Sequence, residues 1–437
     1  MLGVSLSHRD GGSAPAPALP SPGTYAHAPD KAWEIALTGK YPQAIVLNES
    51  RVVFSSFQDG SEQTTVTAVD LVTGDVSWIK HLTRSDCGTQ LLVSYAPNAR
   101  TVACIAVGSG DVQFFDSMDG SLVGEANFGP ASVDKQSSGP RLYIDGDEVI
   151  TCRPERKSTV LESGTATDPA ANWSVEIAGQ SDGSCNIVPG TSTISANSHE
   201  YDWTTVVDRK GSVLYQSFEH SGSAVTDDVL VVSPPHDPGD PGPIASTIKN
   251  MDGETLFDMD WKMGFIHEYP KDKDANAITM LITGEGQVRS FPENYRLWDY
   301  SAWKLKDGRR AATIVGVIDQ TLVVREDDYR LRGLSARNGE TRWVRSLDQL
   351  FNENTSINDL SMMLKGSRDR FSDGRYLLGY ADSQLIALDA ETGDVAWSMP
   401  VDGDLDRQYA DYFLHRRTGD GAVKDQEGAV FTMYHYA

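Results

Sequence analysis

The chain has 437 residues, with 38 Lys and Arg against 62 Asp and Glu, a formal net charge of −24 at pH 7. That excess argues against nucleic acid and anionic membrane surfaces as partners, because both are held by clustered cations. Hydrophobic residues at 39% exclude a disordered chain, and 39 Gly with 20 Pro predict many turns and few long helices.

Residues 1–29 form an expected leader. Within it, 13–23 (SAPAPALPSPG) is rich in Pro and Ala, a composition that favours an extended spacer. Residues 1–7 are too short for the apolar core of a secretory signal, and no apolar run in the chain reaches the length of a bilayer. Two readings stand: a disordered tail, or a stalk whose anchor or signal lies upstream. From residue 30 onwards the chain reads as short strands. Residues 33–37 make one, 44–46 and 52–54 make a hairpin, and 65–69 alternate before a turn and Trp78.

Four cysteines follow, Cys87, Cys104, Cys152 and Cys185, none in a CxxC pair, so zinc or thioredoxin-type chemistry has no support. They allow three pairings. Joining sequence neighbours, Cys87 with Cys104 and Cys152 with Cys185, would close short loops of the kind found outside the cytoplasm. The alternative is four buried thiols acting as small hydrophobes. Disulfides are the preferred expectation, and with them an extracytoplasmic location.

Further along, 234–243 reads as a rigid exposed insertion, 262–300 is irregular, and 348–374 is a loop or a short helix. These are the candidate docking sites. The acidic runs 272–276 and 402–406 space carboxylates like the start of a calcium loop. In the second run Arg407 and Phe413 occupy the positions that need Gly and Glu, so a solvated loop is the better reading. The nine histidines are scattered, with no i,i+4 pair and no Gly-x-Ser-x-Gly elbow.

A repeat organises this inventory. AVDLVTGDVSW at 68–78 and ALDAETGDVAW at 387–397 share Ala-x-Asp-x-x-Thr-Gly-x-x-x-Trp: Ala68, Asp70, Gly74 and Trp78 match Ala387, Asp389, Gly393 and Trp397. GLSARNGETRW at 333–343 keeps Gly339 and Trp343. Weaker copies pair Gly211 with Tyr215 and Gly253 with Phe257, while 114–124 keeps Asp116 and Gly120 but ends in Gly124. Trp33 and Trp173 follow Pro29 and Pro169, and Trp303 is a further candidate. These positions recur every 40 to 54 residues. Each unit supplies about four short strands joined by Asp/Gly hairpin chemistry, which is one propeller blade. A lone blade leaves both faces uncovered, so neighbours must stack with aromatics between them.

The 11-residue pattern resembles the tryptophan-docking motif of the PQQ-like (quinoprotein-type) β-propeller superfamily over roughly residues 30–437. That resemblance implies an all-β fold: a single eight-bladed propeller of four-stranded antiparallel blades, with seven blades as the alternative. The ring would be closed by an N-terminal outer strand at 33–37 pairing with inner strands from 409–416 and 428–436. It implies a structural role for the motif residues, with each Trp packed between blades. PQQ-dependent dehydrogenases of the superfamily carry adjacent cysteines and a calcium beside a catalytic Asp. This chain has no adjacent cysteines, and no residue falls on those positions by motif. The expectation is therefore a scaffold in the cell envelope that binds another protein through its loop rim or channel mouth. No catalytic residue, cofactor or metal is assigned, a monomer is favoured, and membrane contact is expected only through an anchor outside this chain. The alternative is a propeller enzyme, either a PQQ-dependent dehydrogenase or a glycan-active hydrolase or lyase.

Overall fold

A computed structural model describes residues 24–57, 63–88, 92–96, 99–129, 140–155, 158–178, 185–189, 193–198, 203–218, 221–224, 229–233, 246–250, 253–259, 266–269, 278–282, 288–291, 311–318, 321–326, 330–335, 340–346, 350, 373–381, 384–401, 404–409, 411–418 and 427–436. After a short 3-10 turn at Thr24–Ala26, the named elements are all strands. The first four are β1 (Asp30–Leu47), β2 (Arg51–Phe57), β3 (Gln63–Asp70) and β4 (Val76–Thr83), antiparallel neighbours in that order. β2 and β3 are buried along most of their length, whereas β4 alternates between exposed and covered residues. This is the pattern of a sheet covered on both faces except at its outer edge.

The succession recurs along the chain as a β-propeller. Four-stranded sheets occur within 85–127, 186–217, 221–259 and 311–346, and three-stranded ones within 266–291 and 376–400. In a five-stranded sheet, Val93–Tyr95 adds in parallel to Arg141–Asp145, the inner strand of the unit that ends at Trp173–Ala178. The last sheet has seven strands because β1 serves two units. Its first half pairs with Glu427–His435 (Trp33 opposite Met433, Ile35 opposite Phe431), and its second half pairs with β2. Sheet number and blade number are therefore different quantities here. The N-terminal outer strand closes the ring, as the superfamily resemblance implies.

The change of partner within β1 needs unusual backbone. Gly39 has φ +106°, and a Cβ there would lie 2.5 Å from the Phe57 carbonyl oxygen. Tyr41, with φ 52°, is the single non-glycine residue with positive φ among the described residues.

A second regularity was not visible in the sequence. In six units the outer strand slips by one residue against the third strand at the same place. The shifts lie at Ala68/Val69, Phe114/Phe115, Val206/Val207, Ile248/Lys249, Gly333/Leu334 and Ala387/Leu388. Such a bulge inserts one residue and resets the inside–outside alternation just ahead of the aromatic position. The core lies between sheets: Ile45, Val53 and Ala68 of the first unit join Ala103 and Phe114 of the second and Leu142 of the third.

Candidate functional site

The motif residues build docking stations between units. The indole N–H of Trp78 donates to the Ser117 carbonyl at 3.0 Å, and its ring lies on Gly120, where a Cβ would come within 2.8 Å. Trp33 likewise donates to Leu71 at 2.7 Å over Gly74, Trp173 to Arg209 at 3.1 Å over Gly211, and Trp343 to Ala390 at 2.8 Å over Gly393. Each acceptor is the residue that follows the turn aspartate. Gly74, Gly120, Gly211 and Gly393 all have φ between +71° and +81°, so glycine answers two demands there, a left-handed turn and contact with a flat ring. Ala68 and Ala387 stand directly across the ladder from Trp78 and Trp397, and Gly333 from Trp343. A small residue opposite leaves the indole room to lie flat. Gly339 lies outside the described residues, as do Trp303 and 272–276.

The turn aspartates act locally. Asp70 accepts N–H bonds from Val72 and Thr73 and pairs with Arg51 at 2.7 Å. The Thr73 N–H, then Val72 and Arg51, hold its carboxyl below the usual carboxylate range against the opposing effect of burial. Asp389 repeats these contacts, accepting the N–H groups of Glu391 and Thr392 and pairing with Arg375. The arginine at the head of the second strand carried no sequence signal, since it is nineteen residues before one aspartate and fourteen before the other.

Both disulfides form as sequence neighbours, Cys87 with Cys104 and Cys152 with Cys185. The first lies within one unit, continuing the ladder beyond Asp86 opposite Ile105. The second joins Glu148–Pro154 to the residue that precedes Asn186–Pro189, so it links two neighbouring units.

Polar groups gather beside the inner strands of the first units and the closing unit. Asp86 is fully buried and accepts the N–H groups of Gly88 and Leu92. Burial pushes the Tyr95 phenol up, with the Asp86 charge adding to it, and burial lowers Arg141 against the attraction of Asp86. Gln43 donates to Gly88, Arg407 donates to the Ala44 carbonyl, and Asp406 faces the Ala44 N–H at 3.4 Å. These bonds tie inner strands together. Among the described residues, no group of three or more His, Cys, Asp and Glu could hold a metal ion. Asp402 and Gly403 of the second acidic run lie outside the described residues.

Exposed apolar side chains recur along the outer edge, at Val213, Leu214 and Val395 as well as on the first two units. Val72, Val76 and Ile79 of the first unit and Met118, Leu122 and Val123 of the second are all exposed, with Val72 the most open at 63%. They sit on adjacent units, at the docking turns and along open outer strands that have no further ladder partner in their sheets. The sequence signal was present in the apolar residues two places after each turn glycine. It was masked because the alternation there would equally suit a covered face. Of the expected docking loops, 234–243 lies outside the described residues, as does most of 348–374.

A family model described as outer membrane protein assembly factor BamB matches residues 29–216 and 246–437, most of the chain. The chain belongs to this PQQ-like repeat family. Among solved structures it is similar to BamB from Moraxella catarrhalis, at 11% identity over 93% of this chain and 100% of that one, with a TM-score of 0.43. It is similar to the quinohemoprotein alcohol dehydrogenase ADHIIG from Pseudomonas putida HK5, at 12% identity over 93% and 76%, with a TM-score of 0.39. It is also similar to Saccharomyces cerevisiae Sqt1, at 11% identity over 80% and 96%, with a TM-score of 0.40. No curated protein sequence matches it.

Proposed function

We propose that this BamB-family chain is an extracytoplasmic scaffold that binds another protein of the cell envelope, with the outer edge of its first two units as a principal contact. The observation that carries the reading is the set of six exposed apolar side chains at 72, 76, 79, 118, 122 and 123. A monomeric soluble surface seldom gathers large apolar residues on adjacent elements, and a protein partner is the ordinary reason. The family's description as an assembly factor supports a binding role rather than turnover. Two disulfides support an oxidising compartment.

The test is site-specific photo-crosslinking in cells from position 79 or 122, compared with position 176 on another outer strand. Crosslinks to a partner from the first pair, abolished by Val76→Glu with Val123→Glu at unchanged thermal midpoint, are expected. Crosslinks indifferent to those substitutions would overturn the contact surface. PQQ retained with calcium after desalting, or turnover on a glycan panel, would overturn the scaffold reading itself.

A further inference from the structure

Three of the first four seams carry an indole. Trp33 docks the closing unit on the first, Trp78 the first on the second, and Trp173 the third on the fourth. Between the second and third units the aromatic position holds Gly124, and the Ala166 carbonyl occupies the space that a side chain would need. Stacked units are held by the interfaces with their neighbours, so this seam needs another support.

On the inner side of the same seam a strand changes units. The second unit's own inner strand is only Ser85–Asp86, opposite Ala106 and Ile105. The chain then leaves that sheet, and Val93–Tyr95 runs parallel to residues 142–144 of the third unit, the single parallel pairing among the described residues. The Leu142 N–H donates to the Leu92 carbonyl at 2.9 Å, and the Ala96 N–H to the Ile144 carbonyl at 2.7 Å. The Ser94 hydroxyl adds a bond to the Leu142 carbonyl at 3.3 Å. Leu92 and Val93 are buried in one cluster with Cys87, Ile105, Leu142 and Ile144. A donated strand binds through its main chain and its buried side chains, two terms that an indole would otherwise supply.

The root of this strand is built with care. A two-residue ladder is shorter than strands usually are. Cys87 stands where the chain departs, and its bond to Cys104 continues that ladder covalently. The Asp86 carboxylate accepts the N–H groups of Gly88 at 2.9 Å and Leu92 at 2.8 Å, one from each end of the bend. The Tyr95 hydroxyl lies 2.7 Å from the Ala103 carbonyl and 3.1 Å from that of Cys87, and accepts the Ala103 N–H at 3.2 Å. The strand given to the third unit thus keeps a grip on the second.

We propose that Val93–Tyr95, rooted at the Cys87–Cys104 bond, is an internal latch that holds the second unit to the third where no tryptophan does. The latch ties the integrity of this seam to an oxidising compartment, because a reduced chain lacks the covalent root.

Hydrogen exchange read by mass spectrometry on the full chain tests this. The variants are Tyr95→Phe, the pair Cys87→Ser with Cys104→Ser, and the pair Cys152→Ser with Cys185→Ser as a control. Tyr95→Phe keeps the ring and loses the hydroxyl, and should speed exchange about threefold within 92–96 and 141–145. Loss of the Cys87–Cys104 bond should speed the same peptides about thirtyfold and leave 203–217 and 384–400 unchanged. The control pair should act on 148–154 and 186–189 instead. The seam itself is read from Ala166→Cys, a buried position whose thiol labels only when the seam opens. Its labelling should quicken in both latch variants and not in the control. Unchanged exchange in 92–96 and 141–145, or acceleration spread equally over all units, would overturn the latch. So would faster exchange there with labelling at 166 unaltered, since the strand would then hold only itself. If the Cys87 and Cys104 pair of substitutions prevents folding, Tyr95→Phe decides alone.

Discussion

The seam between the first two units and the seam at the ring closure use the same indole chemistry on different supports. Trp78 is nearly buried, lies on a glycine turn, and joins a cluster of aliphatic residues such as Val66, Val102 and Ile105. Trp397 is half-buried and meets a tyrosine backbone within a cluster of aromatic rings. The difference teaches that the station requires a backbone carbonyl beside a surface on which the indole can rest. A glycine turn is one way to provide it. A third seam dispenses with the indole: Gly124 stands in the aromatic position, and a Cβ there would lie 2.0 Å from the Ala166 carbonyl oxygen, so backbone packs on backbone.

Several substitutions would break or sharpen this comparison. Trp78→Ala should cost about 4 kcal/mol in denaturant unfolding, since it leaves an indole-sized cavity between two sheets. Trp397→Ala should cost about half as much because its ring is only half covered; equal losses would mean that the two seams are equivalent. Removing the bridge between units with Cys152→Ala and Cys185→Ala should cost about 3 kcal/mol by freeing the unfolded chain, and the same denaturant titration measures it. Gly120→Ala should cost about 2 kcal/mol, from a left-handed backbone and a methyl group driven into Trp78. A neutral result there would show that the glycine turns are not required for close docking.

The smallest expected effect concerns pH, and the two regions differ in sign. Asp70 is held below the usual range in the folded state, so its contribution is complete above the unfolded value near about 4 and fades as pH falls through the folded one. Asp411, in the hairpin of the closing unit, is pushed up by burial, which His435 only partly offsets. Its charged form is disfavoured in the fold, so stability rises as pH falls through that raised value. Asp70→Asn should therefore lower the thermal midpoint at pH 7. Asp411→Asn should raise it slightly, with the gain vanishing below the unfolded value. Midpoints measured for both variants from pH 3 to pH 7 check the opposite signs.

Much of the ring was legible because its repeat is local. The Asp-x-x-Thr-Gly turn, the small residue opposite the tryptophan and the tryptophan itself fall within eleven residues, so turn chemistry and ladder register act on one short stretch. The nearest-neighbour disulfide pairing was legible for the same reason. The partner of Arg51, the inner-strand position of Asp86 and the exposed edge at Val76 and Leu122 were not, because each depends on which strand lies alongside. The bulges that reset the outer strands are equally silent, since one inserted residue leaves composition and alternation almost unchanged.

Tyr25 marks the boundary most clearly. Composition and the Pro-rich run before it place it in a leader, and the pattern of residues 24–29 does not ask for its burial. Its partners, Asp373, Trp397, Phe413 and Tyr436, are more than 340 residues away. The amino-acid sequence alone determined the repeating unit, its turns and its stacking aromatics, because those rest on contacts between residues close in the chain. Only the tertiary structure decided how the ring is sealed. Closure brings the two ends together, and the missing turn between them had to be replaced by whatever chain lay nearest.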